Sequence, residues 1–270
     1  MNFLLRLGIG DAFGAAYEFT EETISSFPSF RGNPKYPVIG NGMYTDDTQM
    51  TIGVMKWLNE GVLTEENLNK HFWETYKHNP VPGYSKRIRS VIEQDFNSYI
   101  TKMQRNSVGN GAAMRTIPIG VAAHFGKFKL SDIPEIARIS AISTHTHPDA
   151  ILGAQAVAIA AYCSFNKIDN VDDVISDYLR VIWRSTPMRV GSSAIEAAKC
   201  AIAISKDKGK TLSEILINSI NLLGDTDTTA AIAMGLAENA VDDISLELKE
   251  KLIFTNELNV EYFNFEKHLK

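Results

Sequence analysis

The chain has 270 residues, 44% hydrophobic and 22% charged, and its 27 Lys+Arg against 32 Asp+Glu leave a net charge of −5. This composition is that of a soluble globular protein, long enough to bury a substantial core. Nucleic-acid binding is not expected, because the balance is acidic and the longest basic stretch is the short segment 206–210. No apolar run approaches the ~20 residues that cross a bilayer, and no signal peptide is recognised, so no membrane partner is expected. Cys163 and Cys200 both lie in apolar segments, which predicts reduced thiols and a cytoplasmic protein.

The N-terminal segment 10–19 carries two acids in an otherwise apolar stripe. Asp11 and Glu18 are seven residues apart and would share one face if the segment were helical throughout. A solvated pair on an exposed turn is one interpretation. A general acid or base role for Glu18 becomes competitive if a metal site lies beside it.

Helical spacing of apolar residues accounts for most of the remaining chain. Two Ala-rich segments are apolar nearly all round and are expected to be central, two others are amphipathic, and Thr64 makes a good helix start. In chain order these predicted helices begin at Thr45 and Thr64 and then cover residues 151–163, 171–182, 212–223 and 228–240. Almost no stretch alternates apolar and polar residues, and the connection 26–43 joins core-like segments. The sequence therefore predicts an all-α fold in one compact domain, residues 1–270.

Two of these helix starts carry more acid than capping requires. Asp46 and Asp47 precede one helix, and Asp225 and Asp227 precede another, each pair flanked by threonines. Capping alone is the simpler interpretation of either start, but a cap needs one oxygen. If the starts converge, like charges ~4 Å apart repel by ~4 kcal/mol at an effective dielectric of 20, so the cluster requires a cation. Hard oxygen ligands favour Mg²⁺, Mn²⁺ or Ca²⁺ and predict a two-metal site, although spacing does not prove the convergence.

Five motifs in this order and at these distances resemble the ADP-ribosylglycohydrolase family, which includes the dinitrogenase-reductase-activating glycohydrolases. The motifs are GDAFGAAYE (10–18), YTDDTQM (44–50), GNGAAMR (109–115), THTHP (144–148) and GDTDTTAAIAMGL (224–236). The resemblance runs from about residue 8 to residue 236. It implies an all-α domain with a binuclear Mg²⁺ centre, sometimes Mn²⁺, and release of ADP-ribose from a modified acceptor.

Roles follow from the resemblance position by position. Glu18 matches the family acid that assists proton transfer near the scissile bond. The positions that match metal ligands are Thr45, Asp46, Asp47, Asp225, Asp227 and Thr228. The positions that match the diphosphate and distal-ribose side of the site are Ser107, Gly109, Asn110, Gly111 and His145.

The residues themselves leave alternatives open at two of these places. Glycines ahead of a short helix expose backbone N–H groups to phosphate, but Asn110-Gly111 is equally a plain turn. His145 could instead donate to a backbone carbonyl beside Pro148. Leu223 stands where the family often has a second glycine, and the chain after residue 236 follows the family only loosely.

The predicted function is Mg²⁺-dependent hydrolysis of the bond between ADP-ribose and an acceptor, with an ADP-ribosylated protein as partner and the enzyme acting as a monomer. One alternative is a helical diphosphate lyase or prenyl synthase, but Met50 stands where its third acid should fall. The other is a non-catalytic member of the family. Against it, all six ligand positions and Glu18 are intact. The acceptor, whether arginine, serine, nucleobase or small molecule, stays open.

Overall fold

Helices make up the regular structure of this protein. The computed structural model describes residues 1–26, 29–206 and 209–270, and within these ranges β structure is limited to three isolated bridges. Parts of the connection 26–43 and of the basic stretch 206–210 lie outside the described residues. The predicted all-α fold is confirmed. In chain order the helices are α1 (Phe3–Gly14), α2 (Asp46–Glu60), α3 (Glu65–His78), α4 (Lys86–Ile92), α5 (Phe96–Lys102), α6 (Ile117–His124), α7 (Ile133–Ile142), α8 (Pro148–Phe165), α9 (Val171–Leu179), α10 (Ala194–Ser205), α11 (Leu212–Asn221), α12 (Thr226–Leu236), α13 (Leu246–Lys251) and α14 (Thr255–Leu269), with 3₁₀ turns at Asn110–Ala112 and Leu130–Asp132.

Helices α1 and α12 lie in backbone contact at the centre of the fold. A Cβ on Gly10 would lie 2.4 Å from the Ala230 carbonyl oxygen, and one on Gly14 would lie 2.4 Å from the Thr226 carbonyl oxygen. Glycine is therefore required at both positions by the close approach of the neighbouring backbone. This contact places the start of α12 beside the C-terminal end of α1.

Helix α8 is the other central element, as its apolar composition predicts. It contacts α6, α7 and α10, and a Cβ on Gly120 of α6 would lie 2.2 Å from the Ala158 carbonyl oxygen. By length and hydropathy alone α8 is the one helix of the described residues that could cross a membrane. Its packing on several sides is that of a core helix. Cys163, on α8, and Cys200, on α10, are buried free thiols.

Local capping explains where several helices begin. The Thr64 hydroxyl accepts the Asn67 N–H at 3.2 Å and starts α3 as predicted. Thr211 and Glu214 form a capping box at the start of α11. Each cap satisfies N–H groups that have no partner inside their own helix.

Three predicted helices end earlier than the apolar spacing suggests, and the one predicted over 212–223 ends at Asn221. The helix predicted over 171–182 stops at Leu179, because Arg180 adopts a left-handed conformation with φ of 56°. Ile182, counted in its apolar face, is 89% exposed. The helix predicted over 228–240 begins two residues sooner and ends at Leu236. Periodicity alone does not register a left-handed residue, so the 171–182 pattern continues past the end of α9.

The chain after the last motif packs on the same core. Phe3 makes edge-to-face contacts with Tyr262 and Phe265 of α14, with ring centroids 5.7 and 6.3 Å apart. Helix α14 also contacts α2. We therefore retain residues 1–270 as one proposed domain.

The contact between α1 and α12 generates the first prediction. Gly10→Ala places a methyl group where the Ala230 carbonyl stands, so we expect the free energy of unfolding to fall by about 1–3 kcal/mol, despite the better helix propensity of Ala. Gly40→Ala is the matched control, because a Cβ there meets nothing within 4 Å. Urea denaturation of both variants measures the difference. Equal stability of the Gly10 variant and wild type would contradict the close packing.

Candidate metal centre and binding cleft

The N-termini of α2 and α12 meet at a cleft of about 360 Å³. All of the predicted site residues except Thr45 line it, and Thr45 is fully buried beside it. The structure thus supplies the convergence that spacing did not prove. The lining residues predicted from the sequence are Glu18, Asp46, Asp47, Ser107, Gly109, Asn110, Gly111, His145, Asp225, Asp227 and Thr228. Their chemical roles stay a prediction.

Asp11 holds the start of α2 in place. Its carboxylate accepts the Thr45 N–H at 2.9 Å and the Thr48 N–H at 3.0 Å. The hydroxyls of Thr45 and Thr48 also donate to it, at 2.8 and 2.6 Å. Asp11 therefore caps α2 from another helix. Because the Thr45 hydroxyl donates its proton to Asp11, the lone pairs of Thr45 Oγ1 remain available to a cation.

The predicted relation between Asp11 and Glu18 is corrected by the structure. Helix α1 ends at Gly14, so the two acids do not share a helix face, and Glu18 lies in the turn that follows. Asp11 is fully buried, which rules out a solvated pair. Burial raises the Asp11 pKa, while the four donors from Thr45 and Thr48 oppose that rise.

The start of α12 is fixed by two hydrogen bonds and by one close approach of two backbone segments. The Asp225 N–H donates to the Val190 carbonyl at 2.9 Å, and the Thr226 hydroxyl donates to the Gly14 carbonyl at 2.8 Å. Gly224 has a φ of +85°, and a Cβ there would lie 2.0 Å from the Val190 oxygen. Leu223 just before it has a φ of 63°. The position where the family often has glycine is therefore a left-handed one, which Leu occupies under strain.

The carboxylates form a cluster with an excess of negative charge. One oxygen from each of Glu18, Asp225 and Asp227 lies within 4.8 Å of the others. Within the described residues, Asp47 Oδ1 and Asp225 Oδ1 are buried without a hydrogen-bond partner. Burial and then neighbouring carboxylates raise the pKa of Asp46, Asp47 and Asp227 well above the usual range. Orphaned hard oxygens in one place fit a divalent cation such as Mg²⁺ or Mn²⁺.

Glu18 differs from the aspartates because it lies in the turn after α1 and not at a helix start. Burial first, then the charges of Asp225 and Asp11, raise its pKa to about 8. Its turn is tied down by the Phe19 N–H, which donates to the Gly224 carbonyl at 2.7 Å, and by the Asn33 amide. Glu18 therefore remains over the start of α12.

His145 is neutral and held on both nitrogens. Its Nε2 lies 3.1 Å from Arg87 Nη2, and its Nδ1 lies 2.8 Å from Thr144 Oγ1. Since arginine only donates, Nε2 accepts and Nδ1–H donates to the threonine. Burial and then the charges of Arg115 and Arg87 lower the His145 pKa well below its usual value. The alternative prediction, a hydrogen bond from this ring to a backbone carbonyl, is therefore wrong.

Two backbone amides of the glycine loop are engaged within the protein. The Gly109 N–H donates to Ser107 Oγ at 3.1 Å, and the Asn110 N–H donates to the Ser192 carbonyl at 2.8 Å, so both amides are already used. A Cβ on Gly109 or Gly111 would lie 3.2 or 3.1 Å from the His145 ring. The absence of a side chain at Gly109 and Gly111 therefore leaves room for the His145 ring. Asn110 Nδ2 is buried without a partner in the described residues and is the donor that a ligand could use.

Arg115 is the last residue of the GNGAAMR motif, and the sequence predicts no role for it. Its guanidinium is fully buried and donates to the Gly111 carbonyl at 2.7 Å, to Thr144 Oγ1 at 2.9 Å and to the Ser140 carbonyl at 2.5 Å. It also stacks over Phe72, 4.7 Å from the ring centroid. Burial lowers its pKa to about 9. In the sequence, the signal for this residue is a single charge in an apolar run. In the structure, the Arg115 side chain ties the glycine loop to the His145 segment.

Comparisons with known proteins agree with this geometry. A model of the ADP-ribosylglycohydrolase family matches residues 2–237, and the chain belongs to that family. It is 28% identical over 263 residues to an uncharacterized protein of Archaeoglobus fulgidus, covering 86% of this chain and 84% of that protein.

Vertebrate relatives and a solved structure are also similar to the chain. It is 26% identical over 189 residues to the mouse ADP-ribosylhydrolase ARH3, covering 63% of this chain and 50% of that protein. The match thus spans about half the length of that relative. A solved ADP-ribosylglycohydrolase-related protein complex aligns with a TM-score of 0.72 at 19% identity, covering 100% of this chain and 97% of that one, which shows the shared fold.

The raised carboxylate pKa values generate a prediction for the metal-free protein. For Glu18 the native pKa of about 8 exceeds the ordinary 4.5, so between these values the native state holds more protons than the unfolded state. Stability must then fall as pH rises through this window. Asp227→Asn removes one of the repelling charges and is expected to raise the free energy of unfolding at pH 8 in chelator by about 1–3 kcal/mol.

The measurement is urea denaturation at pH 5 and pH 8, with chelator or with Mg²⁺. The exposed Asp177→Asn serves as the matched control and should behave as wild type in every condition. Added Mg²⁺ should raise the free energy of unfolding of the wild type at pH 8. It should have a smaller effect on Asp227→Asn. A variant less stable than wild type in chelator would contradict the repulsive cluster.

Proposed function

We propose that this chain hydrolyses the glycosidic bond between ADP-ribose and an acceptor, with an ADP-ribosylated protein as the partner. One observation carries the proposal: a buried carboxylate cluster with orphaned oxygens opens into a cleft, in a chain that belongs to the ADP-ribosylglycohydrolase family. The names of the vertebrate relatives support the same class of reaction.

The donor set supports a binuclear Mg²⁺ centre, with Mn²⁺ as the second candidate. The starts of α2 and α12 each contribute two carboxylates and a threonine oxygen, and the residues that would hold the ions are Thr45, Asp46, Asp47, Asp225, Asp227 and Thr228. When bound, such ions act as Lewis acids and orient the ligand's hydroxyls. The orphaned oxygens of Asp47 and Asp225 are the buried atoms that a cation would satisfy.

Glu18 would carry the proton in this proposal. Burial is the first cause of its raised pKa and does not depend on bound cations, and Glu18 lies at the cleft wall over the start of α12. A buried carboxyl group that holds its proton can protonate a departing group and then serve as base toward water. The Gly224 and Asn33 contacts hold its turn in place, so the proton is delivered from a fixed position.

The other side of the cleft would receive the remainder of ADP-ribose. Ser107, Gly109, Asn110, Gly111 and His145 line it together. Asn110 Nδ2 offers an unused donor, and the neutral His145 ring adds no charge that would compete with the metal ions. In the proposed function these residues lie along the diphosphate and distal ribose.

The activity is tested with a panel of arginine-, serine- and DNA-linked ADP-ribose substrates, with Mg²⁺, Mn²⁺ or chelator. We expect release of ADP-ribose from one acceptor class only, in the presence of metal. Asp46→Asn and Asp227→Asn are each expected to abolish turnover, because ligands from both helix starts are needed. Asp177→Asn should keep wild-type turnover. Full activity in chelator, or in either ligand variant, would refute the shared metal centre.

Glu18→Gln tests whether Glu18 transfers a proton or binds a cation. The amide keeps the size of the side chain but exchanges no proton, so turnover is expected to fall by about 10²- to 10⁴-fold while ADP-ribose and Mg²⁺ still bind. Single-turnover kinetics and calorimetry measure the two effects, and the exposed Glu250→Gln is the control. Because a Glu18 oxygen lies within 4.8 Å of Asp225 and Asp227, loss of Mg²⁺ affinity would make it a ligand instead. Unchanged turnover would remove it from the mechanism.

A further inference from the structure

Arg87 gives the cleft a second charged end. It lies on α4, in the first turn after the Ser85 cap, and reaches the cleft wall. Among the described residues that line the cleft it is the one lysine or arginine. The carboxyl groups in the cleft lining are the five that surround the candidate metal centre.

The Arg87 guanidinium is held by neutral acceptors and has no counter-ion. Nη1 donates to the carbonyls of Gln104 and Thr144, the latter at 3.0 Å, and Nη2 donates to His145 Nε2 at 3.1 Å. Within the described ranges no carboxylate pairs with it, whereas many exposed arginines of this chain are paired. Nε–H makes no hydrogen bond to the described residues and Nη2 uses one of its two N–H groups, so the Nε/Nη2 side of the fork keeps unused donors.

Arg115 shows what a purely structural arginine looks like in this fold. It is fully buried, lies outside the cleft lining, and donates to the Gly111 and Ser140 carbonyls and to Thr144. Arg87 is half-buried, faces the cleft and keeps unused donors on one side of its fork. A partly desolvated cation without a counter-ion is costly, and an anion that arrives with the ligand would offset that cost.

We propose that Arg87 anchors a phosphate group of the ligand through the unused donors on the Nε/Nη2 side of its fork. A guanidinium edge matches two phosphate oxygens, and charge-assisted bonds of this kind are the strong ones. The anchor rests on the proposed function, in which the ligand carries a diphosphate. It makes the cleft select ligands that present ribose hydroxyls to the metal centre and a phosphate to Arg87.

The test compares Arg87→Met with Arg89→Met, an exposed arginine two residues along the same helix. Calorimetry with ADP-ribose in Mg²⁺, at low and high KCl, is expected to show about 10- to 100-fold weaker binding for Arg87→Met and a shallower salt dependence. Mg²⁺ affinity should not change. Arg89→Met should bind ADP-ribose as wild type does. Wild-type ADP-ribose affinity in Arg87→Met would overturn the anchor.

Inorganic pyrophosphate with the metal-free protein separates this proposal from the proposed function. If wild type does not bind ADP-ribose, the proposed function fails, and the anchor then stands or falls on whether pyrophosphate binding depends on Arg87. Should Arg87→Met unfold, Arg87→Lys keeps the charge but loses the fork, and it must weaken ADP-ribose binding at unchanged melting temperature. Wild-type affinity of a folded Arg87→Lys for both probes would overturn the anchor.

Discussion

The carboxylate of Asp11 joins α1 to the start of α2, and the geometry of the cleft depends on that contact. Two N–H groups and two hydroxyls of Thr45 and Thr48 donate to one buried carboxylate. On its other side α1 touches α12 through Gly10 and Gly14, where side chains would not fit. A single buried helix thus determines where both acidic helix starts lie. Any shift of α1 would change the distance between the two halves of the carboxylate cluster.

The site concentrates an electrostatic cost that the rest of the fold must offset. Burial and mutual repulsion raise the pKa of the clustered carboxylates, so the ionised cluster is unfavourable without a cation. Two features offset this electrostatic cost in the absence of metal. Asp46, Asp47 and Asp227 lie in the first turns of α2 and α12, where the helix dipoles favour negative charge. The apolar packing of α1 and α8 supplies stability that the site does not.

Local patterns in the sequence predicted the elements of this site, and three-dimensional contacts decided the rest. The acidic starts at residues 46 and 225 contain more carboxylates than capping needs, so the sequence alone predicts a metal site there. The contact of Gly83 with the site is not visible in the sequence, because it joins segments far apart in the chain. A Cβ added to Gly83 would lie 2.1 Å from Asp46 Oδ1. Arg87 and Arg115 were missed for the same reason. A charged residue in a sequence does not show whether its partner is a carboxylate, a carbonyl or a ligand.

The two charged ends of the cleft couple metal binding to ligand binding in the proposed function. A diphosphate that approaches Arg87 also approaches the carboxylate cluster, and unscreened carboxylates repel it. Cations bound by the carboxylate cluster would reverse the sign of that interaction, so in the proposed function the ligand's affinity rises when the cluster is filled. Linkage requires the reverse effect to be equal, and the ligand then tightens metal binding by the same factor. Arg87 provides the part of the attraction that does not depend on the metal, because its counter-charge is missing whether or not the metal centre is filled.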